Sequence, residues 1–376
     1  MDDRGALDLF DRMQRVGDAA GAVALGVCTV EPFVPVRTEM ERRLESGESG
    51  RRRFTYTDPA VANDVRSTYS WAEHLLVAAV TYLPEAGRPG PPVANTGRIA
   101  RFATSDQYLP LRELLGALSV ELERAGFRAE PLADDNRLVD RAAAVRAGVA
   151  WWGKSTMALA PKFGPWILLG SVVTDAPLPL SDPMVRDCGT CTACIPACPT
   201  GALDGEGVLD ATLCISYWAQ TPGMIPPAIR EAWGDRLYGC DDCLEACPPG
   251  ERWEARSDAT TGRVDLIELL EKDDAELLAE YEHFYIPRRD ARFLRRNALV
   301  ALGHSGTLQA VPVLAGYLSS SIAVLRAHAA WSLGRLGASG AIPALEQAVA
   351  LESDTLVRTE LTGAMERIRD GDRPVR

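Results

Sequence analysis

Residues 188–203, CGTCTACIPACPTGAL, and residues 240–249, CDDCLEACPP, decide how the rest of the chain is read. The first stretch places cysteines at 188, 191, 194 and 198, and the second at 240, 243 and 247, each run ending in Cys-Pro. Cys214, in LDATLCISYW, lies between them, so eight of the nine cysteines fall between positions 188 and 247 and Cys28 stands apart. A disulfide-bonded extracellular scaffold would spread its bridges through the chain behind a signal peptide. Here the N-terminus MDDRGALDLFDRMQRVGD is acidic and amphipathic, and the apolar AAGAVALGV after it is too short to span a bilayer and lacks a basic flank. The expectation is a cytoplasmic protein, without a membrane partner, whose clustered thiols stay reduced and bind metal. Cys28, on an apolar strand, reads as a small core residue.

Two metal chemistries compete for these thiols. Structural zinc takes four ligands in two separated pairs, and has no use for three cysteines at i, i+3 and i+6 followed by Cys-Pro. The first run instead has the full spacing of a bacterial ferredoxin, in which three close thiolates hold one [4Fe-4S] cluster and the cysteine before proline serves another. The second run lacks one of its four cysteines, and Cys214 is the evident replacement. The resemblance to two-cluster ferredoxins implies a crossed assignment, with Cys188, Cys191, Cys194 and Cys247 on one cluster and Cys198, Cys214, Cys240 and Cys243 on the other.

Outward from the cysteines, 376 residues suffice for two or three domains at roughly 150 residues each. A hydrophobic fraction of 47% with 24% charged residues excludes a disordered chain. The net charge of -12 argues against coating nucleic acid by bulk charge, while leaving room for a local basic patch. Residues 1–180 alternate helical and extended patterns. Leu7, Phe10, Met13 and Val16 repeat at helical spacing, Val23 to Val30 and Leu75 to Tyr82 are strand-length apolar runs, and Leu109 to Ala125 is helical. Phe127 to Leu132 reads as a strand, Val139 to Ala147 as a helix and Trp166 to Thr174 as a buried strand. This predicts an α/β or α+β layer domain whose strand order periodicity does not fix. A proline-rich hinge, APLPLSDP, leads into a ferredoxin-like domain over 181–255. The remainder, 256–376, is all-α: FLRRNALVALG at 293–303 matches VLRAHAAWSLG at 324–334, and LVRTELTGAM begins a third copy at 356. That period, with two helices per copy, marks HEAT-like repeats.

With these pieces in place the chain resembles the epoxyqueuosine reductase family over nearly its whole length. The resemblance runs through GRIARFATSDQY (97–108), DDNRLVDRAAAVRAGVAWWGKSTMAL (134–159), PWILLGSVVTDAPLPL, both cysteine runs and LDATLCISYW, and ends in the helical tail. It implies an oxidoreductase that converts epoxyqueuosine to queuosine in tRNA, with a cobalamin in the N-terminal domain reduced through the two clusters by an external low-potential donor. It also implies a catalytic aspartate, which counting back from Trp151, Trp152, Gly153 and Lys154 places at Asp134. A carboxylic acid there would protonate the oxygen of the opening epoxide, which requires a raised pKa. Asp135 and Asp140 are near enough to be rivals, and DDNRLVDRAAA also reads as a helix start with acidic residues at its positive end. Asp134, Gly153, Lys154, Ser155 and Ser216 are implied against the cofactor; alternatively GKST only caps an element. GVAWWGKS (148–155) formally fits the phosphate-loop pattern, but its bulky residues and its place after a helix argue against nucleotide hydrolysis.

The chain departs from the family at TSDQY, where a basic and an imidazole group are lost, at Arg137, where a proline is common, and at GRRRF in the N-terminal part. A tRNA partner would need local cations. IPRRDARFLRR (286–296) supplies Arg288, Arg289, Arg292, Arg295 and Arg296 against Asp290, Arg326 recurs in the repeat, and Arg51, Arg52 and Arg53 form a second patch. The competing reading of these arginines is a solvated face or salt bridges. A monomer is expected. Two other functions fit the residues: a corrinoid reductase of another substrate, such as an organohalide, or an electron carrier whose HEAT tail binds protein.

Overall fold

The apolar runs around 75–82 and 166–174 become the two central strands of one sheet, His74–Thr81 and Ile167–Thr174, paired antiparallel with Leu75 opposite Val173. In this computed structural model, which describes residues 2–51, 53–83, 91–250 and 262–371, the chain divides into two compact units. One is drawn from Met1–Ala86, Asp106–Thr212 and Asp242–Ser257; the other from Gly87–Ser105, Leu213–Asp241 and Asp258–Arg376. The cysteine-rich stretch contributes to both.

In the first unit, strand Ala24–Thr29 flanks His74–Thr81 and strand Ala129–Ala133 flanks Ile167–Thr174, every pairing antiparallel. Sequential α/β alternation had left a parallel sheet open; the observed pairing makes this an α+β layer. Leu75, Val77, Ala79 and Val173 share a core with Ala142, Ala143 and Ala144 of helix Asp140–Arg146. Gly170 lies under Leu111 and Leu115 of helix Tyr108–Arg124. The N-terminal helix Asp3–Ala19 is capped by Asp2, whose carboxylate accepts the Gly5 N–H at 2.9 Å, and buries Leu9 and Met13 one turn apart. Cys28 is buried on its strand, its Sγ donates to the Ala143 carbonyl, and burial pushes its thiol up to about 12.

In the second unit, strand Thr96–Ile99 runs parallel to Arg236–Tyr238 and antiparallel to Arg263–Asp265. The repeats form helices Arg292–Ser305, Ala323–Arg335 and Thr355–Asp370, paired with Val311–Gly316 and Ile342–Leu351. Gly303 and Gly334, equivalent in the 31-residue repeat, let successive helices approach: a Cβ on Gly303 would lie 2.8 Å from the Trp331 ring, and one on Gly334 2.7 Å from Ala364 Cα.

The segment 213–241 has little regular structure of its own, and two neighbouring residues of the first repeat helix fasten it. Arg296, buried, donates to the carbonyls of Thr221 at 2.5 Å, Gly223 at 2.9 Å and Trp218 at 2.6 Å. Asn297 donates to those of Ala219 at 2.9 Å and Leu237 at 3.1 Å. His328, also buried, accepts the Ile225 N–H on Nε2 and donates from Nδ1 to the Val324 carbonyl. No helix among the described residues is long and apolar enough to cross a membrane.

Arg296→Met keeps the packing volume but removes the donor to the buried Thr221 carbonyl and to the part-buried Trp218 and Gly223 carbonyls. An unsatisfied buried group costs about 1–3 kcal/mol, so guanidinium unfolding followed by circular dichroism should show about 1–3 kcal/mol of lost stability.

Candidate active site

Local turns set the cysteines. The Cys191 N–H donates to the Cys188 carbonyl at 3.0 Å, and helix Cys194–Ala197 follows directly. That helix packs against helix Asp242–Glu245, which carries Cys243, and a turn from Leu244 leads to Cys247. Cys198 Sγ accepts the Ala202 N–H at 3.2 Å and lies 3.5 Å from the Thr200 hydroxyl. Burial works against a thiolate at Cys198, yet these donors outweigh it and the net shift is downward; at Cys194 burial prevails and the thiol is pushed up. In the second unit, Cys214 precedes helix Ile215–Ala219 as its N-cap residue, and Cys240 follows strand Arg236–Tyr238. Asp241, buried beside Cys240, accepts the Arg101 N–H at 2.7 Å, joining this cysteine turn to the GRIARFA segment. No disulfide joins any of the nine cysteines, all of which lie among the described residues.

WWGKST forms a β-hairpin: strand Trp151–Trp152 pairs with Ala158–Leu159, and the Gly153 N–H donates to the Met157 carbonyl at 2.8 Å. This is neither a phosphate loop nor a helix cap. A Cβ on Gly153 would fall 2.9 Å from Leu159 Cδ1 and 3.1 Å from the Met157 carbonyl oxygen, so a side chain there would displace Leu159. Lys154 Nζ donates to the Gly189 carbonyl and to Glu206, both at 2.7 Å, and so tethers the loop between Cys188 and Cys191. Glu206 raises the Lys154 pKa, with smaller contributions from Cys188 and Cys191. Ser155 is buried, and Ser216 is half-buried in helix Ile215–Ala219 of the other unit. Beside the hairpin opens a cavity of about 350 Å³, lined among others by Trp152, Gly153, Met40, Val139, Arg43 and Arg141.

Asp134 follows strand Ala129–Ala133 directly, exposed and in the left-handed region at φ 51°. It is not a helix cap: helix Asp140–Arg146 begins after Val139, and no side chain caps it. Asp135, the next residue, is locked by Arg137, whose Nε and Nη2 donate to its two oxygens at 2.8 and 2.6 Å. Arg137 also donates to the Tyr69 hydroxyl and lies 5.3 Å from that ring's centroid. Its hydrogen bonds hold the Asp135 carboxyl below the usual range. Asp135 is thereby a fixed anion and a poor proton donor. The proline-to-arginine departure at Arg137 thus has a structural role, which neither residue's spacing foretold.

The arginine patch divides. Arg295 is buried and binds Asp274, the Leu270 and Lys272 carbonyls and the Tyr317 hydroxyl, so its expected place in an RNA-binding face is corrected to a structural one. The same correction applies to Arg326, paired with Glu352 at 2.6 Å. Arg289 donates to the carbonyls around the end of helix Asp274–Glu280. Arg292 is exposed but paired with Asp290, and Arg288 is exposed at φ 58°. Arg53 is exposed, and Arg52 lies outside the described residues.

Two recognised patterns match the chain: a 4Fe-4S double cluster binding domain over residues 187–250, and HEAT repeats over 289–366. Fold and site therefore define an oxidoreductase carrying two [4Fe-4S] clusters, and the cysteine donor set, with N–H and O–H groups directed at Cys198, fits them. An epoxyqueuosine reductase of Bacillus anthracis is 30% identical over 361 residues, covering 92% of this chain and 94% of that protein. One of Bacillus cereus is 35% identical over 270 residues, 69% of this chain and 71% of that protein. A crystal structure of an epoxyqueuosine reductase with an epoxyqueuosine-modified tRNA-Tyr stem loop superimposes with a TM-score of 0.88 at 28% identity, covering 97% of this chain and 100% of that one. The chain belongs to the epoxyqueuosine reductase family.

Anaerobically reconstituted protein should contain about eight iron and eight sulfide per chain, and stoichiometric zinc without sulfide would contradict this. Thr200→Val, which removes a donor to the Cys198 sulfur, should leave the iron content unchanged. It should make one cluster's reduction potential more negative in a redox titration followed by electron paramagnetic resonance.

Proposed function

We propose that this chain reduces epoxyqueuosine to queuosine in tRNA. The carrying observation is the match over 97% of the chain, cysteine runs and helical tail included, to a reductase solved with an epoxyqueuosine-bearing stem loop. Removing the epoxide oxygen as water takes two electrons and two protons, and two one-electron clusters suit that demand. The crossed ligand sets, Cys188, Cys191, Cys194 and Cys247 against Cys198, Cys214, Cys240 and Cys243, remain the assignment for them.

The cavity beside the hairpin fits a large, flat, amide-edged group such as cobalamin: Trp152 and Val139 supply apolar wall, and Arg43 and Arg141 polar rim. Gly153 and Trp152 would hold it there, and when bound it supplies a low-potential metal centre. Lys154 acts at one remove, by fixing the cysteine loop. Asp134 donates the proton to the oxygen released from carbon, from a strand end whose left-handed backbone holds the carboxyl apart from the locked Asp135. Arg288, with Arg292 beside it, contacts the RNA backbone. The protein works as a cytoplasmic monomer fed by an external low-potential donor.

Anaerobic turnover of an epoxyqueuosine-modified stem loop tests the reading. Asp134→Asn should lower kcat by about 10²–10⁴-fold with RNA affinity unchanged, and full activity would remove Asp134 from the chemistry. Arg288→Glu should weaken stem-loop binding and reduce the magnitude of the salt dependence, d log K/d log[salt], by about 1; unchanged affinity would place the RNA elsewhere.

A further inference from the structure

We infer that Asp140 is the positioning residue for Asp134: its buried carboxyl accepts the Asp134 main-chain N–H and holds that residue in its left-handed conformation at the end of the strand. The inference rests on the reading of Asp134 as the proton donor. Few residues with a Cβ enter this region, aspartate more readily than most, and a hydrogen bond to the first residue of helix Asp140–Arg146 holds the one conformation. The helix is itself anchored, its alanines packed against the central strands, so the acceptor does not follow the loop.

The other half of the carboxyl has a different consequence. Asp140 Oδ1 is buried with no hydrogen-bond partner, a poor place for a charge. Burial raises the Asp140 pKa most, the charges of Asp134 and Asp135 add to it, and Arg141 opposes. The strands packed against the helix bring two further titratable groups, Cys28 and His74, and burial favours the neutral form of each. Asp140 is thus protonated at pH values where an ordinary aspartate is ionised.

The test uses reconstituted full-length protein and the epoxyqueuosine-modified stem loop. Asp140→Ala should expose the Asp134 amide to at least about tenfold faster hydrogen exchange and lower kcat about tenfold at unchanged KM. Asp140→Asn, the nearest neutral equivalent of the protonated carboxyl, keeps an acceptor oxygen in place and should restore both. Unaltered exchange at Asp134 in Asp140→Ala overturns the positioning role whatever the activity does. Faster exchange in that variant, together with a fully active Asp134→Asn, would uphold the positioning of the loop and discard the donor reading alone. If Asp140→Ala fails to fold, the parent protein decides: an Asp134 amide that exchanges as fast as an unprotected amide overturns the inference.

Discussion

Arg296 and Asn297, adjacent on one helix, donate to five main-chain carbonyls of the segment that carries Cys214 and Cys240. Helices of five and six residues and a three-residue strand leave most of that segment's backbone without partners of its own. Burying a guanidinium is unfavourable, and burial lowers the Arg296 pKa to about 9, yet its donors are directed at three main-chain carbonyls that compensate it. The apolar side chains of the segment, Ile215, Ile225, Ile229, Trp233 and Leu237, enter the same core as the repeat helices. The HEAT repeats are thus the interior against which the segment carrying Cys214 and Cys240 is ordered.

The first unit handles its cysteines differently. There the tether is a single ammonium: Lys154, at the turn of the hairpin that lines the cavity, reaches the Cys188–Cys191 loop through the Gly189 carbonyl. The cavity wall and the first cysteine run are therefore mechanically one piece, and a positive charge sits close to Cys188 and Cys191. Cationic neighbours and N–H donors are the means by which a protein sets the potential of a cluster it cannot alter chemically.

What could be read from sequence was what is local. Cysteine spacing, the Cys-Pro endings and the 31-residue repeat are short-range patterns, and the structure carries strands and helices close to the predicted runs. The strand order could not be read, because antiparallel pairing joins residues about a hundred positions apart, as Leu75 and Val173 do. Arginines misled for a related reason. A run of cations reads as a surface, but Arg295 and Arg296 point inward because carbonyls and a carboxylate from distant segments await them. Of three neighbouring aspartates, counting back from Trp151 picked Asp134 but said nothing of their surroundings: Arg137 locks Asp135, the Asp140 carboxyl is buried, and Asp134 alone is exposed, at a left-handed strand end.

The order of the chain adds a constraint on biogenesis. Cys214 and Cys240 leave the ribosome well before Arg296 and Asn297, whose side chains fix the backbone between them. Until the first repeat helix is made, the carbonyls of Trp218, Ala219, Thr221, Gly223 and Leu237 lack the side-chain donors they have in the folded chain, so the backbone between Cys214 and Cys240 is among the last parts of its unit to gain its final hydrogen bonds.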